Sequence, residues 1–313
     1  MDGLVRLMWG QSRVPLLLVG IFGCGAPLPE VAYRAGDGLQ PGHSPAAIAA
    51  RLRNGDPLHV QLFLSGDRVP LLWSGPSLDP ETCETVGGRA LDGEVWLVEQ
   101  TAGSLQAGWR CGARPDPRFP DVEPEPFGII DLDAFLEQVA EAEATGGAPV
   151  ALTLEPLFFE NVSHDPEVIA AELVERWRAH GRADRLRVLS DRWELLGAIG
   201  ERADAAGLQV EPWLRWPAVP PLAGEGLWSL GAQLGQRGGW VSPLEAAQDA
   251  GAVGLSVPVE AADRAQLQAA SDAGLAVQVG PVADGDAARA LRRWPVDSLL
   301  VHQVGANAVG GGR

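Results

Sequence analysis

From Val31 onward the chain alternates short β-rich runs with amphipathic helical runs, and it keeps this up for about 270 residues. Neighbouring parallel strands need a crossover of a dozen residues or more, usually a helix. The alternation therefore implies a parallel sheet, and its length suits an α/β fold of the (β/α)8 TIM-barrel type over residues 31–304. Strands are expected at Val31–Arg34, Leu58–Leu64, Val69–Trp73, Val150–Leu154, Leu186–Leu189, Leu208–Trp213, Val253–Val257, Leu275–Val279 and Val296–Val301. Helical periodicity falls between them at Ser44–Arg53, Asp131–Ala144, Pro166–His180, Trp193–Ala206, Pro243–Ala250, Arg264–Ala273 and Asp286–Arg293. Ser44 with Pro45 next, and Asp131 ahead of an apolar stripe, are helix starts. Gly181, Gly207 and Gly274 fall just past helices, where a left-handed residue is wanted.

The segment Asp79–Pro126 breaks this rhythm. It carries one strand-like run, Val95–Glu99, and a Pro-rich exit, so it reads as an insertion placed after the early strands. The Gly-rich tail at residues 305–313 reads as a flexible end.

The amino terminus has the form of an address. Arg6 and Arg13 precede the apolar run Val14–Phe22, and Gly23-Cys24 follows, so residues 1–23 read as a lipoprotein-type signal peptide and 24–30 as a linker. Nine apolar residues reach only about 14 Å as a helix, roughly half a bilayer core. Ile21-Phe22-Gly23-Cys24 resembles a bacterial lipobox, with Cys24 the lipidated residue and Phe22 departing from the small residue usual there. The expectation is an exported lipoprotein of the bacterial cell envelope, periplasmic or outer-surface, held to the membrane through its lipid. Cys83 and Cys111 then form an even pair in an oxidising compartment. A disulfide between them would close a loop of about 28 residues and stabilise the fold by roughly 3 kcal/mol; two buried thiols are the other reading.

Charge narrows the function classes. The net charge is −17, and all 24 basic residues are Arg, since the chain has no Lys. A P-loop Lys, a Schiff-base Lys and a Ser-Lys dyad are excluded. Sequence-independent binding to nucleic acid or anionic lipid needs clustered cations and does not suit such an acidic chain. A small-molecule or lipid-derived ligand is the partner expected.

Five colinear pieces resemble the glycerophosphodiester phosphodiesterase family. Its opening His-Arg-Gly corresponds to Tyr33-Arg34-Ala35, and the motif before its first helix to Pro41-Gly42-His43-Ser44. Its second strand, Leu-Glu-Leu-Asp-Val, and the following Val-Pro-Val-Val-x-His-Asp correspond to Leu58-His59-Val60-Gln61-Leu62 and Val69-Pro70-Leu71-Leu72-Trp73-Ser74-Gly75. Its metal-binding Glu appears as Glu155 in Leu154-Glu155-Pro156-Leu157, and its last strands correspond to Val277–Asp284 and Pro295–His302. The resemblance implies a metal-dependent barrel in which two His act as general acid and base and three carboxylates hold a divalent ion.

Those residues are mostly replaced. The two His positions are Tyr33 and Ser74, so no catalytic residue is assigned. Two of the three carboxylates are His59 and Gln61, and only Glu155 remains, beside Arg34 at the phosphate-contacting position. One carboxylate with a Gln amide is a weak site for Mg²⁺ or Ca²⁺, and an unperturbed Tyr has a pKa near 10, far from neutral exchange. The expectation is a barrel of this type that has lost catalysis, needs no cofactor, and acts as an envelope-anchored binding or structural protein.

Two alternatives stay open. Glu155 with His59, His302 and His43 could form a rearranged site for Mg²⁺, Ca²⁺ or Zn²⁺, the last favoured by imidazoles, in an active hydrolase of lipid-derived glycerophosphodiesters. The bland reading has His43 and His302 as solvated loop residues and His59 as a hydrogen-bonded barrel residue. Alternatively Trp213 and Trp216, with Trp228 and Trp240, line the mouth of a carbohydrate-binding barrel, unless they are ordinary packing. The acid pairs Asp131/Asp133 and Glu123/Glu125 read as a helix start and a solvated linker.

Overall fold

The computed structural model describes residues 28–36, 40–116, 122–146, 149–182, 186–216, 243–283 and 285–302. The leader 1–23, Cys24, Trp228, Trp240 and the tail 305–313 lie outside them. In chain order the strands are β1 (Glu30–Ala32), β2 (Leu58–Leu64), β3 (Pro70–Leu72), β4 (Cys83–Thr85), β5 (Trp109–Cys111), β6 (Leu152–Pro156), β7 (Leu186–Ser190), β8 (Val210–Arg215), β9 (Gly254–Val257), β10 (Ala276–Val282) and β11 (Ser298–Val301). The helices are α1 (Pro45–Asn54), α2 (Ala102–Gly108), α3 (Leu132–Gly146), α4 (Pro166–Ala179), α5 (Trp193–Ala205), α6 (Pro243–Asp249), α7 (Arg264–Asp272) and α8 (Gly285–Leu291).

Strands β1, β2, β6, β7, β8, β9, β10 and β11 pair in parallel, and β1 pairs with both β11 and β2, which closes the barrel. β3 adds antiparallel to the last residues of β2, with Leu62 opposite Leu72. Every residue of β2 is buried, as expected of a strand covered on both faces. Leu58, Val60, Leu62 and Leu64 join the main core with Ile48, Phe135 and Leu136 of the helices. By strand alternation His59 and Gln61 face the barrel axis, and Phe63 beyond them enters the core of the insertion. The apolar face anchors the helices, and the polar inner face supplies the site.

Helix starts follow their sequence signals. Ser44 Oγ accepts from Ala47 N at 3.1 Å with Pro45 in the first turn, and Asp131 Oδ1 accepts from Ala134 N at 2.8 Å. Asp133 lies in the first turn of α3, as expected of a helix start, and also binds Arg176 and lies 3.1 Å from His180 Nε2, tying α3 to α4.

Between β3 and α3 the chain builds a second, smaller core. Phe63, Leu71, Trp73, Leu78, Leu97, Leu105 and Phe127 pack together around Cys83 and Cys111. These two Cys face each other on the antiparallel β4–β5 ladder and are joined by a disulfide. The run Val95–Glu99 is not a strand. Leu97–Glu99 is a 3-10 turn, because Leu97 drops into this core and the chain then turns into α2, capped by Thr101. Short apolar runs leave this choice open in sequence.

The first strand ends early as well. Tyr33–Ala35 forms a 3-10 turn rather than extending β1, with Arg34 at φ 49° and Ala35 at φ 58°. Left-handed backbone at two non-Gly residues cannot continue a strand. β6 runs on to Pro156 and β8 to Arg215, so Glu155 and Arg215 lie within strands, at their carboxyl ends.

Candidate functional site

The site gathers at the carboxyl ends of the parallel strands, where barrel active sites form. β1 delivers Tyr33 and Arg34 through the left-handed turn, and His43, also left-handed at φ 61°, lies in the loop before α1. His43 N donates to Arg34 O at 3.0 Å, and His43 Nε2 accepts from Gln61 N at 3.1 Å. Accepting from a backbone N–H requires a lone pair on Nε2, which places the proton on Nδ1 in neutral imidazole. Burial, reinforced by the charge of Arg34, holds the His43 pKa well below the usual imidazole value. Strain concentrated in Arg34, Ala35 and His43 is the kind retained where a loop must hold one shape.

His59 is fully buried under Tyr33, the two rings stacked 5.1 Å apart and 16° from parallel. His302 meets the same Tyr33 ring edge-on at 5.2 Å, and the Arg34 guanidinium lies 5.4 Å from its centroid. The aromatic ring thus fills the volume among the imidazoles.

Glu155 is the electrostatic centre. Its Oε2 accepts from Gln61 Nε2 at 2.7 Å and lies 2.9 Å from His59 Nε2, out of line for a hydrogen bond. Its Oε1 binds Arg215 Nη1. Burial alone would raise this carboxyl, but Arg215, with His59 and Gln61, outweighs it and holds the pKa at about 2. Glu155 in turn raises the Arg215 pKa further above its ordinary value. At the end of β7, Asp191 has the opposite fate: burial and the Glu155 charge, partly offset by Arg215 and Arg192, raise it to about 6.

Among the described residues, no group of three or more His, Cys, Asp and Glu is arranged to hold a metal ion. The chemistry of the donors explains this. Both Glu155 oxygens are engaged, His43 has given its Nε2 lone pair to a backbone N–H, and Gln61 Oε1 accepts from Arg34 Nε at 3.0 Å. His59 Nδ1 is buried without a hydrogen-bond partner, but it is one nitrogen and not a ligand set. A divalent ion needs several open oxygens or imidazoles. The residues present do not fit one.

Beside this centre opens a cavity of about 400 Å³ between the first loops of the barrel and the insertion. Arg34, His43, Trp73 and Ser74 line its barrel side, and Gly112 and Arg114 belong to its insertion side. Its size is that of a small-molecule site. Ser74, which the resemblance puts at one imidazole position, opens on this cavity, whereas Tyr33, which it puts at the other, belongs to the buried cluster.

Trp213 and Trp216 fall elsewhere. Trp213 is buried rather than placed on the mouth: its ring lies on Gly254, where an added Cβ would come within 2.4 Å of it, and Arg187 stacks 4.9 Å from its centroid. By strand alternation Glu211, Trp213 and Arg215 share the inner face of β8, and Trp213 fills the barrel there. Trp216 packs half-buried against the main core. Arg215 and Asp191 were not singled out from the sequence. Their signal was there: a charged residue closing an apolar strand at the end where barrel sites gather.

No protein-family model matches the sequence, and no curated protein matches it. Solved structures do. A Silicibacter pomeroyi protein assigned as a glycerophosphoryl diester phosphodiesterase superposes with a TM-score of 0.75 at 20% identity, over 90% of this chain and 92% of that one. An Oleispira antarctica phosphodiesterase, solved with the product sn-glycerol-3-phosphate, gives 0.62 at 18% identity, over 88% and 93%. A glycerophosphodiester phosphodiesterase from Agrobacterium tumefaciens gives 0.57 at 16%, over 88% and 96%. The chain therefore has a glycerophosphodiester phosphodiesterase-like fold, and identity this low speaks for fold alone.

Proposed function

We propose that this barrel is a non-catalytic relative of the phosphodiesterases whose fold it shares, and that it binds a small phosphate-ester ligand at its mouth. One observation carries the reading: the lone surviving carboxylate, Glu155, is closed off by Arg215, Gln61 and His59. A phosphodiester hydrolase needs an activated nucleophile and a group to protonate the leaving oxygen. Tyr33 and Ser74 stand where the resemblance puts the two imidazoles, and imidazole is the side chain suited to acid-base exchange near neutrality. Binding chemistry is retained, with Arg34 on the wall of a ligand-sized cavity.

The sequence supports export and attachment through a lipid on Cys24, which would make this an envelope-anchored binding protein. Mass spectrometry of the membrane fraction tests that part. A diacylated Cys24 amino terminus is expected, and an unprocessed leader or an unmodified Cys24 would sink it.

Catalysis is tested by incubating the full-length chain with glycerophosphodiesters and Mg²⁺, Ca²⁺, Mn²⁺ or Zn²⁺, beside Glu155→Ala. No turnover above the variant is expected. Metal-dependent turnover lost in Glu155→Ala would instead establish a rearranged hydrolase.

A further inference from the structure

Arg215 holds the coordination face of Glu155 that a metal ion would need. The guanidinium stays protonated at every pH a protein tolerates, so an incoming divalent ion would have to displace a permanent cation from a buried carboxylate. Arg215 gives one amino group to Glu155, a guanidinium has five N–H donors, and 27% of the Arg215 side chain remains exposed. A line of hydrogen bonds runs Arg34–Gln61–Glu155–Arg215, from the turn after β1 through β2 and β6 to β8, with a cation at each end. The Arg34 end of this line also packs against the Tyr33 ring, its guanidinium 5.4 Å from the centroid.

We infer that Arg215 takes over the charge role of a divalent ion, making the barrel centre a metal-independent receptor for a phosphate-ester anion held directly by Arg34 and the remaining donors of Arg215. This rests on the non-catalytic reading above. A guanidinium supplies positive charge and paired N–H donors matched to phosphate oxygens. It cannot act as a Lewis acid that lowers the pKa of a bound water. An arginine in that place keeps recognition and removes water activation, which accounts for Arg34 on the cavity wall beside Tyr33 and Ser74 where the resemblance puts imidazoles.

The test is calorimetric titration of the full-length chain with sn-glycerol-3-phosphate and with inorganic phosphate, in excess EDTA and again with millimolar Mg²⁺ or Ca²⁺. Affinity is expected to be unchanged by EDTA or by either ion. Arg215→Met should weaken binding about tenfold or more, and Arg215→Lys should restore part of it. The Lys variant keeps a cation on Glu155 and serves where the Met variant fails to fold. Binding lost in EDTA and regained with a divalent ion overturns the inference, as does full affinity in the Arg215 variants or no binding of either probe. Metal-dependent binding without hydrolysis would sink this inference alone, whereas hydrolysis would sink the non-catalytic reading as well. Binding of the ester but not of inorganic phosphate assigns the recognition to the esterified group, and equal binding of both assigns it to the phosphate.

Discussion

Arg215 on β8 reaches past β7 to bind Glu155 on β6, and Asp191 at the end of the intervening strand feels both charges. One cation and two carboxylates are thereby coupled inside a barrel whose outer strand faces are apolar. The coupling sets most of what the site should do when it is perturbed.

Removing the cation beside a buried carboxylate leaves an uncompensated charge. Arg215→Met is expected to destabilise the fold by about 3–5 kcal/mol. The double change Arg215→Met with Glu155→Gln should recover much of that loss, because no buried charge is then stranded. Urea denaturation of the wild type, the single variants and the double variant reads the cycle. A double variant no more stable than Arg215→Met would contradict the pairing.

The two carboxylates should give the stability profile opposite slopes. Glu155, depressed from 4.5 to about 2, contributes stability present above about pH 4.5 and lost as pH falls toward 2. Asp191, raised from 3.8 to about 6, binds its proton more tightly when folded, so its contribution is lost as pH rises from about 4 through 6. Asp191→Asn should therefore flatten the decline of melting temperature between pH 4 and 6. Parallel profiles for wild type and variant would show that Asp191 does not titrate there.

Gly254 is required by close approach. Gly254→Ala would place a methyl carbon 2.4–2.6 Å from three Trp213 ring atoms in the barrel interior, and overpacking of this kind costs about 1–3 kcal/mol. Trp213→Leu in the same chain should relieve part of the penalty. Equal melting temperatures for Gly254→Ala and wild type would mean that the ring moves aside at no cost.

The disulfide braces the small core of the insertion. Replacing Cys83 and Cys111 with Ser frees a loop of 28 residues and should cost about 3–4 kcal/mol. Thermal melting under a reducing agent should bring the wild type down to the variant. Cys111 and Gly112 also line the cavity, so ligand affinity should fall with stability.

Ala35 carries a left-handed backbone at φ 58° without being glycine. Ala35→Gly removes about 1–2 kcal/mol of steric strain and forfeits about 0.8 kcal/mol of buried methyl. A slightly higher denaturation midpoint is expected. A clear drop would mean that methyl packing in the core outweighs the strain.

The barrel was legible because its alternation of periods is long and repeated, and because Ser44 and Asp131 mark helix starts by local chemistry. The second early strand and the insertion were readable for the same reason. What the sequence hid depended on neighbours distant along the chain. Arg215 follows Trp213 by two residues, but its role exists only because Glu155, sixty residues earlier, lies two strands away. Trp213 resembled a mouth residue because strand β8 runs two residues further than its apolar run suggests, which carries that ring down into the barrel. The 3-10 turn at Leu97–Glu99 has the apolar spacing of a strand, and only the core beneath it decides otherwise.

Strand β1 enters the barrel from the amino-terminal ends of its neighbours, since all eight barrel strands run parallel, and the cavity opens at the other end. From Cys24 to Glu30 the backbone reaches at most about 20 Å. A lipid on Cys24 would thus tether the molecule by the amino-terminal end of the barrel, with the cavity at the far end turned away from the bilayer. Such a protein would sample solutes diffusing through the surrounding aqueous space rather than lipids still embedded in the sheet that holds it.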